Sequence, residues 1–279
     1  MRPAFLALIA VIGSATIAWC GDPSTISPAR PGDRGFLVHE VQSEFQAGKT
    51  EIKILLPDRL EPGKRYPTVY VLPVEALSGQ QYGNGLVEIR AHDLQNKWQA
   101  IFVAPTFSHL PWYADHPTES TIRQESFLLK VVLPFVEQTY PVVAGREGRL
   151  LLGFSKSGWG AWSLLVRHPE TFGRAAAWDA PLMMNRIGKY GSSAIFGTQE
   201  NFARYQLSAG LRERAEALQN GKRLALLGYG GFRQDHEQTH LLLEKLRIPH
   251  EYRDGPQRKH DWHSGWVPEA VEFLLHDER

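Results

Sequence analysis

The sequence predicts an α/β fold: a mostly parallel central sheet with helices on both faces. Three observations carry this. Short unbroken apolar runs, "YPTVYVLP" (66–73), "AIFVAPT" (100–106) and "RLLLGF" (149–154), recur along the chain and suit strands buried on both faces. Segments of helical spacing lie between them, so strand and helix alternate as a parallel sheet requires. A chain of 279 residues, 43% hydrophobic and 22% charged, is long enough for one large core.

Taken in order, the chain starts with Arg2 and an apolar run, "AFLALIAVIGSATIAW" (4–19). A basic start, a short apolar stretch and small residues at its end read as a secretory signal peptide over 1–20, with Ala18 and Cys20 at positions −3 and −1 of the cleavage site. The run is too short and too interrupted for a transmembrane span, so the mature protein is expected to carry none. Cleavage there removes Cys20, the one cysteine, and with it disulfides and thiol catalysis. "GDPSTISPARPGDRG" (21–35) is rich in Pro, Gly and Ser and reads as a linker. The domain proper is expected over 36–279.

"GFLVHEVQS" and "TEIKILLPD" alternate in part and look like an antiparallel pair. The strands at 66–73 and 100–106 follow. "TIRQESFLLKVVLPFVEQTY" (121–140) has helical spacing, with Pro134 near its middle. "RLLLGF" runs directly into "SKSGWGAWSLLVRHP", a helix ended by Pro169. "FGRAAAWDA" and "KRLALLGYG" are further strands, "HEQTHLLLEKL" an amphipathic helix, "PHEYRDG" a strand, and "GWVPEAVEFLLH" the closing helix. Residues 184–218 form a long polar stretch, read as an excursion over the sheet edge and a candidate lid.

Chemistry is concentrated at the strand-to-helix junction of "RLLLGFSKSGWGAW". A serine hydroxyl attacks only when a base takes its proton and it projects into a cleft beside backbone N–H groups. A tight strand-to-helix turn provides that projection, and small residues two before and two after the serine let the turn pack. Ser155 has Gly153 at −2 and Ser157 at +2. Ser157 has Trp159 at +2 and lies inside the helix. Ser155 is therefore the candidate nucleophile, with Ser157 where glycine is usual. The local pattern alone equally suits a serine acting only as a helix N-cap.

The stretch "LLLGFSKSGWGAWSLLVRHPETFGRAAAW" (150–178) resembles the nucleophile region of the Putative esterase family of the α/β-hydrolase fold. That family includes feruloyl and acetylxylan esterases, S-formylglutathione hydrolases and mycolyltransferases. Further resemblances follow in order: "YPTVYVLP" to the strand before the oxyanion loop, "APTFSHLPWYADHP" to the "WY-x-D" loop, "ESFLLKVVLPFVEQTYPV" to the helix ending in "P-x-hydrophobic-E-x-x-Y", and "GPQRKHDWHSGWVPEAVEFL" to the histidine region. The resemblance runs from about Phe36 to the end. It implies an α/β-hydrolase domain, a serine-based carboxylic-ester hydrolase or related acyltransferase, and no cofactor.

By the same resemblance His260 matches the family histidine, flanked by Trp262 and Trp266, and His263 is its rival. The acid is expected after "LALLGYG", which selects Asp235; Glu237 close by and Asp179 after the preceding strand are alternatives. One oxyanion donor is the backbone N–H of Lys156. The other comes from the loop after "YPTVYVLP". That loop reads "LPVEALSG", and Pro73 has no N–H, so Val74 or Glu75 must donate. A Glu75 carboxylate aimed inward would oppose the developing negative charge.

"HEQTH" (236–240) is a literal H-E-x-x-H, which on a mid-helix face binds zinc through two histidines with the glutamate as base. Here it starts a predicted helix and lacks a third ligand at familiar spacing, although His260 or Asp261 offers one. The reading without metal is preferred. A third reading keeps the fold without turnover and uses the aromatics of "LPWYADHP" and the Trp262/Trp266 pair to stack on sugar rings. A net charge of +1 gives no electrostatic reason to expect nucleic acid. The expectation is a secreted or periplasmic esterase acting on small-molecule or glycan-linked esters through Ser155, His260 and Asp235.

Overall fold

A computed structural model describes residues 24–276. The predicted signal peptide and Cys20 lie outside them. Ten strands form one sheet: β1 (Thr25–Ile26), β2 (Arg30–Pro31), β3 (Leu37–Gln42), β4 (Lys49–Leu55), β5 (Thr68–Val71), β6 (Ile101–Pro105), β7 (Arg149–Phe154), β8 (Arg174–Trp178), β9 (Leu224–Tyr229) and β10 (His250–Gln257). The order is β1-β3-β4-β6-β5-β7-β8-β9-β10, with β2 also on β3. From β6 through β10 every pairing is parallel, and β3, β4 and β6 pair antiparallel. This is the mostly parallel α/β sheet that the alternation predicts.

The helices are α1 (Gly85–Ala91), α2 (Leu94–Lys97), α3 (Gln124–Phe127), α4 (Leu133–Thr139), α5 (Ser155–Arg167), α6 (Ser193–Phe196), α7 (Gln199–Ala203), α8 (Leu207–Glu213), α9 (Arg233–Leu246) and α10 (Val267–Leu275). They cover both faces, and strands β4 to β9 feed both cores by alternation. Tyr70, Leu72 and Leu151 enter one core with Val131, Val136, Trp162, Leu165 and Leu243. Val69, Val71, Leu150 and Leu152 enter the other with Leu86, Ile89, Val267 and Val271. A strand buried on both faces has no polar side to show, so its sequence is an unbroken apolar run.

Three segments differ from the sequence reading. Residues 24–35 are not a free linker throughout: β1 and β2 pair antiparallel with β3. Thr25, Ile26, Arg30 and Pro31 satisfy backbone groups of that outer strand despite a turn-like composition. The helix around Pro134 starts at Gln124 and continues to Thr139 through a π-helical turn at Leu128–Val132. The wider turn falls where Pro134 lacks an N–H and its ring would meet a carbonyl one turn back. The 184–218 excursion is anchored rather than merely polar. Ile195, Phe196, Phe202, Tyr205, Leu207 and Leu211 are buried in the core. Phe196 lies 5.6 Å from Trp159 of α5, ring centroid to centroid. Asn201 donates to the carbonyls of Asp115 and Phe196.

Candidate active site

β7 passes into α5 without a loop, and Ser155 sits at the junction with φ 53°. A non-glycine residue in the left-handed region costs about 1–3 kcal/mol and persists only where its surroundings hold it. Gly153 is one element of that hold: a Cβ there would lie 2.3 Å from the Ser157 carbonyl oxygen. Ser157 is the other. Its hydroxyl donates to the Phe154 carbonyl at 2.9 Å and accepts from the Phe154 N–H at 3.1 Å. The serine that replaces the usual glycine therefore ties the turn from inside and is fully buried. Ser155 heads a 13-residue helix, whose N-terminal N–H groups and dipole favour negative charge beside it.

His260 lies in the loop between β10 and α10. Its ring centroid is 5.0 Å from that of Phe154, the residue before Ser155. His260 Nδ1 is 2.5 Å from Asp179 Oδ2. Asp179 is fully buried and follows β8 directly, with φ 42°. Its other bonds come from backbone: the N–H groups of Gly231 and Phe232 donate to Oδ1 at 2.8 and 2.7 Å. Gly230 is required here, since a Cβ would come within 2.4 Å of Oδ2. Burial alone would push the Asp179 carboxyl up. The bonds from His260 and from the N–H groups of residues 230–232 outweigh it and hold the pKa below the ordinary value.

Asp235, expected on chain order, is not beside His260. It is the third residue of α9 and accepts from the Met183 N–H at 2.9 Å. The turn after β9 is short: Gly231 and Phe232 already turn their N–H groups to Asp179, and α9 starts at Arg233. Asp235 is thereby carried onto the helix, where burial raises its pKa against the Met183 bond. Glu237 pairs with Arg233 at 3.1 Å. The rival His263 faces α1: its Nδ1 is 2.6 Å from Glu88 Oε2.

The "HEQTH" histidines do not converge. His236 is buried, its Nε2 accepts from the Ala180 N–H at 2.9 Å, and burial lowers its pKa to about 4. It braces the residue after Asp179. His240 turns toward β10, where its Nδ1 meets His250 Nε2 at 2.8 Å.

The loop after β5, where the sequence places the second oxyanion donor, is fixed from one side. The Tyr113 hydroxyl donates to the Pro73 carbonyl at 2.5 Å. In a trans peptide C=O and N–H point oppositely, so this bond aims the Val74 N–H away from Tyr113. The Glu75 carboxylate accepts from the Tyr82 N–H at 3.3 Å. Burial lowers the Lys156 pKa, and the Glu75 charge partly restores it.

Several contributors escaped the sequence reading. Tyr113 is buried with φ 56° and packs where Gly160 leaves room; a Cβ on Gly160 would lie 2.0 Å from the Tyr113 ring. Tyr82 and Phe232 stand 5.4 and 5.9 Å from His260, and Tyr190, half exposed, is 5.6 Å from Phe232. Tyr113 stands in the "WY-x-D" stretch, where local pattern gives it no role on the Pro73 loop, and nothing local marks Tyr82, Phe232 or Tyr190, because loops distant in sequence bring them together. Conversely, Trp112, Tyr113, Trp262 and Trp266 are buried and offer no face to a sugar. Trp178 stacks on His260 and on Trp266, the latter at 5.5 Å and 11° from parallel, Trp262 stacks on Trp266, and Trp262 meets Phe154 edge-on.

Solved structures share this fold. A ferulic acid esterase superposes with a TM-score of 0.68 at 21% identity, covering 91% of this chain and 98% of its own. An S-formylglutathione hydrolase from Agrobacterium tumefaciens gives 0.70 at 13% identity, covering 90% and 98%. MPT51 (FbpC1) of Mycobacterium tuberculosis gives 0.61 at 15% identity, covering 89% and 97%. Among curated proteins, Esterase Rv1288 of Mycobacterium tuberculosis is 27% identical over 139 residues, 48% of this chain and 30% of its own. The chain thus spans less than a third of the length of that relative. The family model described as "Putative esterase" matches residues 43–247, most of the chain. On that match and this fold, the chain belongs to the Putative esterase family of the α/β-hydrolases.

Proposed function

We propose that this protein is a serine hydrolase that cleaves carboxylic esters through an acyl-enzyme on Ser155, with His260 as base and Asp179 as its partner. The observation that carries the reading is the His260–Asp179 bond, with Asp179 at the end of the strand next to the one that ends at Ser155 in its left-handed turn. Ser155 Oγ attacks the acyl carbon while His260 Nε2 takes its proton. Asp179 fixes the Nδ1–H tautomer and stabilises the imidazolium. The N–H groups of Lys156 and Val74 receive the oxyanion. The alcohol leaves with the proton from His260, and water releases the acyl group by the same steps in reverse.

The substrate class we favour is a small-molecule or glycan-linked ester with an aromatic or sugar ring near the bond. Tyr82 and Phe232 against His260, with Tyr190 against Phe232, support it, since such rings stack on ring substrates. The N-terminal pattern supports action outside the cytoplasm, in secreted or periplasmic form. Among the described residues no helix is long and apolar enough to cross a membrane. The test is a panel of p-nitrophenyl, acetyl-sugar and feruloyl esters on wild type and His260→Ala. Turnover in wild type with loss in His260→Ala supports the reading. Absence of turnover on every ester would favour a fold kept without catalysis.

A further inference from the structure

We propose that His240, Glu244 and His250 form a divalent-metal site of zinc type that pins α9 to the edge strand β10. One ligand atom from each of the three side chains lies within 4.8 Å of the others. His240 and Glu244 are four residues apart on α9 and so share a face. His250 opens β10, the last strand of the sheet order.

Neighbouring groups orient both imidazoles. His250 Nδ1 lies 2.8 Å from the Ile248 carbonyl oxygen, an acceptor only, so Nδ1 carries the proton. The His250 Nε2 lone pair then points at His240 Nδ1, 2.8 Å away. A ring N–H held by a backbone carbonyl is the arrangement that sets the tautomer of metal-binding histidines. The His240 ring is held as well, stacked on Tyr252 with centroids 4.1 Å apart and planes 14° from parallel. Without metal, His240 Nδ1 must donate to His250 Nε2. With metal, the His240 proton moves to its outer nitrogen, Nε2, and two lone pairs converge beside the Glu244 carboxylate.

Two imidazoles and one carboxylate suit Zn²⁺, which takes ligands at about 2.0–2.2 Å. Tetrahedral geometry at that length sets ligand atoms roughly 3.3 Å apart. The two nitrogens therefore open slightly, and the carboxylate swings in. Glu244 is exposed and free to do so, while His240 and His250 are half-buried. Water completes the shell. The site is not the H-E-x-x-H pair, because His236 faces Ala180 and Glu237 faces Arg233. It clamps the helix whose first turn adjoins the N–H groups that hold Asp179.

The test uses the full chain without a histidine tag, stripped by chelator and titrated with zinc by calorimetry, followed by thermal melting. Wild type is expected to bind one equivalent with a raised Tm. Glu244→Gln should weaken binding about tenfold or more, and His250→Gln should abolish both the tight equivalent and the rise in Tm. Glu244→Gln changes an exposed side chain, so it reports binding even if His250→Gln folds poorly. Cobalt substituted for zinc should give visible absorption bands of a four-coordinate site, absent in Glu244→Gln. No tight equivalent in wild type, or one that survives both substitutions unchanged, overturns the proposal.

Discussion

Ser155 and Asp179 occupy equivalent places on neighbouring strands. Phe154 and Trp178 are register partners in the β7–β8 pair, and the residue after each takes a left-handed backbone, φ 53° at Ser155 and 42° at Asp179. Two adjacent parallel strands thus end in the same sharp turn and deliver a hydroxyl and a carboxylate to one edge. The loop carrying His260 arrives from β10 and meets Asp179.

The nucleophile assignment predicts that Ser155→Ala abolishes both ester cleavage and labelling by a fluorophosphonate probe. Ser157→Ala should retain labelling. It removes two bonds to Phe154 and should cost about 1–2 kcal/mol of stability, measurable by urea unfolding. Labelling that maps to Ser157, or persists in Ser155→Ala, would refute the assignment.

The acid assignment separates two aspartates. Asp179→Asn should lower kcat by about 10⁴, the scale seen when an orienting carboxylate becomes an amide that favours the wrong tautomer. Asp235→Asn should leave kcat nearly unchanged, since Asp235 meets Met183 and not the imidazole. The reverse ranking in single-turnover rates would restore Asp235.

This pair also marks how far the sequence could be read. The apolar runs at 66–73, 100–106 and 149–154 announce buried strands because two-sided burial leaves no alternation to interpret. Ser155 is legible because one continuous stretch builds its turn. The partner of His260 is not, because two strand ends offer an aspartate and the choice depends on how many residues the turn after β9 spends before α9 starts. Here Gly230, Gly231 and Phe232 are spent on holding Asp179. The Tyr113–Pro73 bond joins residues 40 apart, a distance over which local spacing carries no information.

The two aspartates should respond oppositely to pH. Asp179 has a folded pKa below its unfolded value. Its contribution is complete above about pH 4 and is lost as pH falls through the folded value. Asp235 has a raised folded pKa, so its contribution is present at low pH and is lost as pH rises through that value. Asp179→Asn should therefore flatten the acid side of a stability–pH curve, and Asp235→Asn should raise stability near neutrality. A curve unchanged by either substitution would contradict the burial and bonding assigned to them.

His236 should act through folding, not through metal chemistry. Its pKa of about 4 in the folded chain against about 6.5 unfolded means that protonation opposes folding. Stability is full above pH 6.5 and should fall by roughly 3 kcal/mol between there and pH 4. His236→Gln should lessen that fall. Phenanthroline should leave ester turnover at 25 °C intact, whatever it does to melting temperature. Turnover that disappears with chelator and returns with zinc would support the H-E-x-x-H reading instead.

Tyr113 offers the sharpest test of the oxyanion loop. Its hydroxyl holds the Pro73 carbonyl, and peptide planarity converts that hold into a direction for the Val74 N–H. Tyr113→Phe keeps the ring against Gly160 and removes only the oxygen. The net loss of one hydrogen bond should cost about 1 kcal/mol in stability. The loss in turnover should be larger than that figure implies, because a freed loop no longer presents its donor where charge develops. Complete loss of an oxyanion donor costs about 10²–10³ in kcat, so a partly misdirected one should cost about tenfold or more with KM little changed. Val74→Pro, which deletes the N–H, should approach the full loss. If Tyr113→Phe lowers Tm while kcat stays at the wild-type value, the bond serves packing alone. The second donor must then be sought at Glu75, whose own N–H Glu75→Pro would remove.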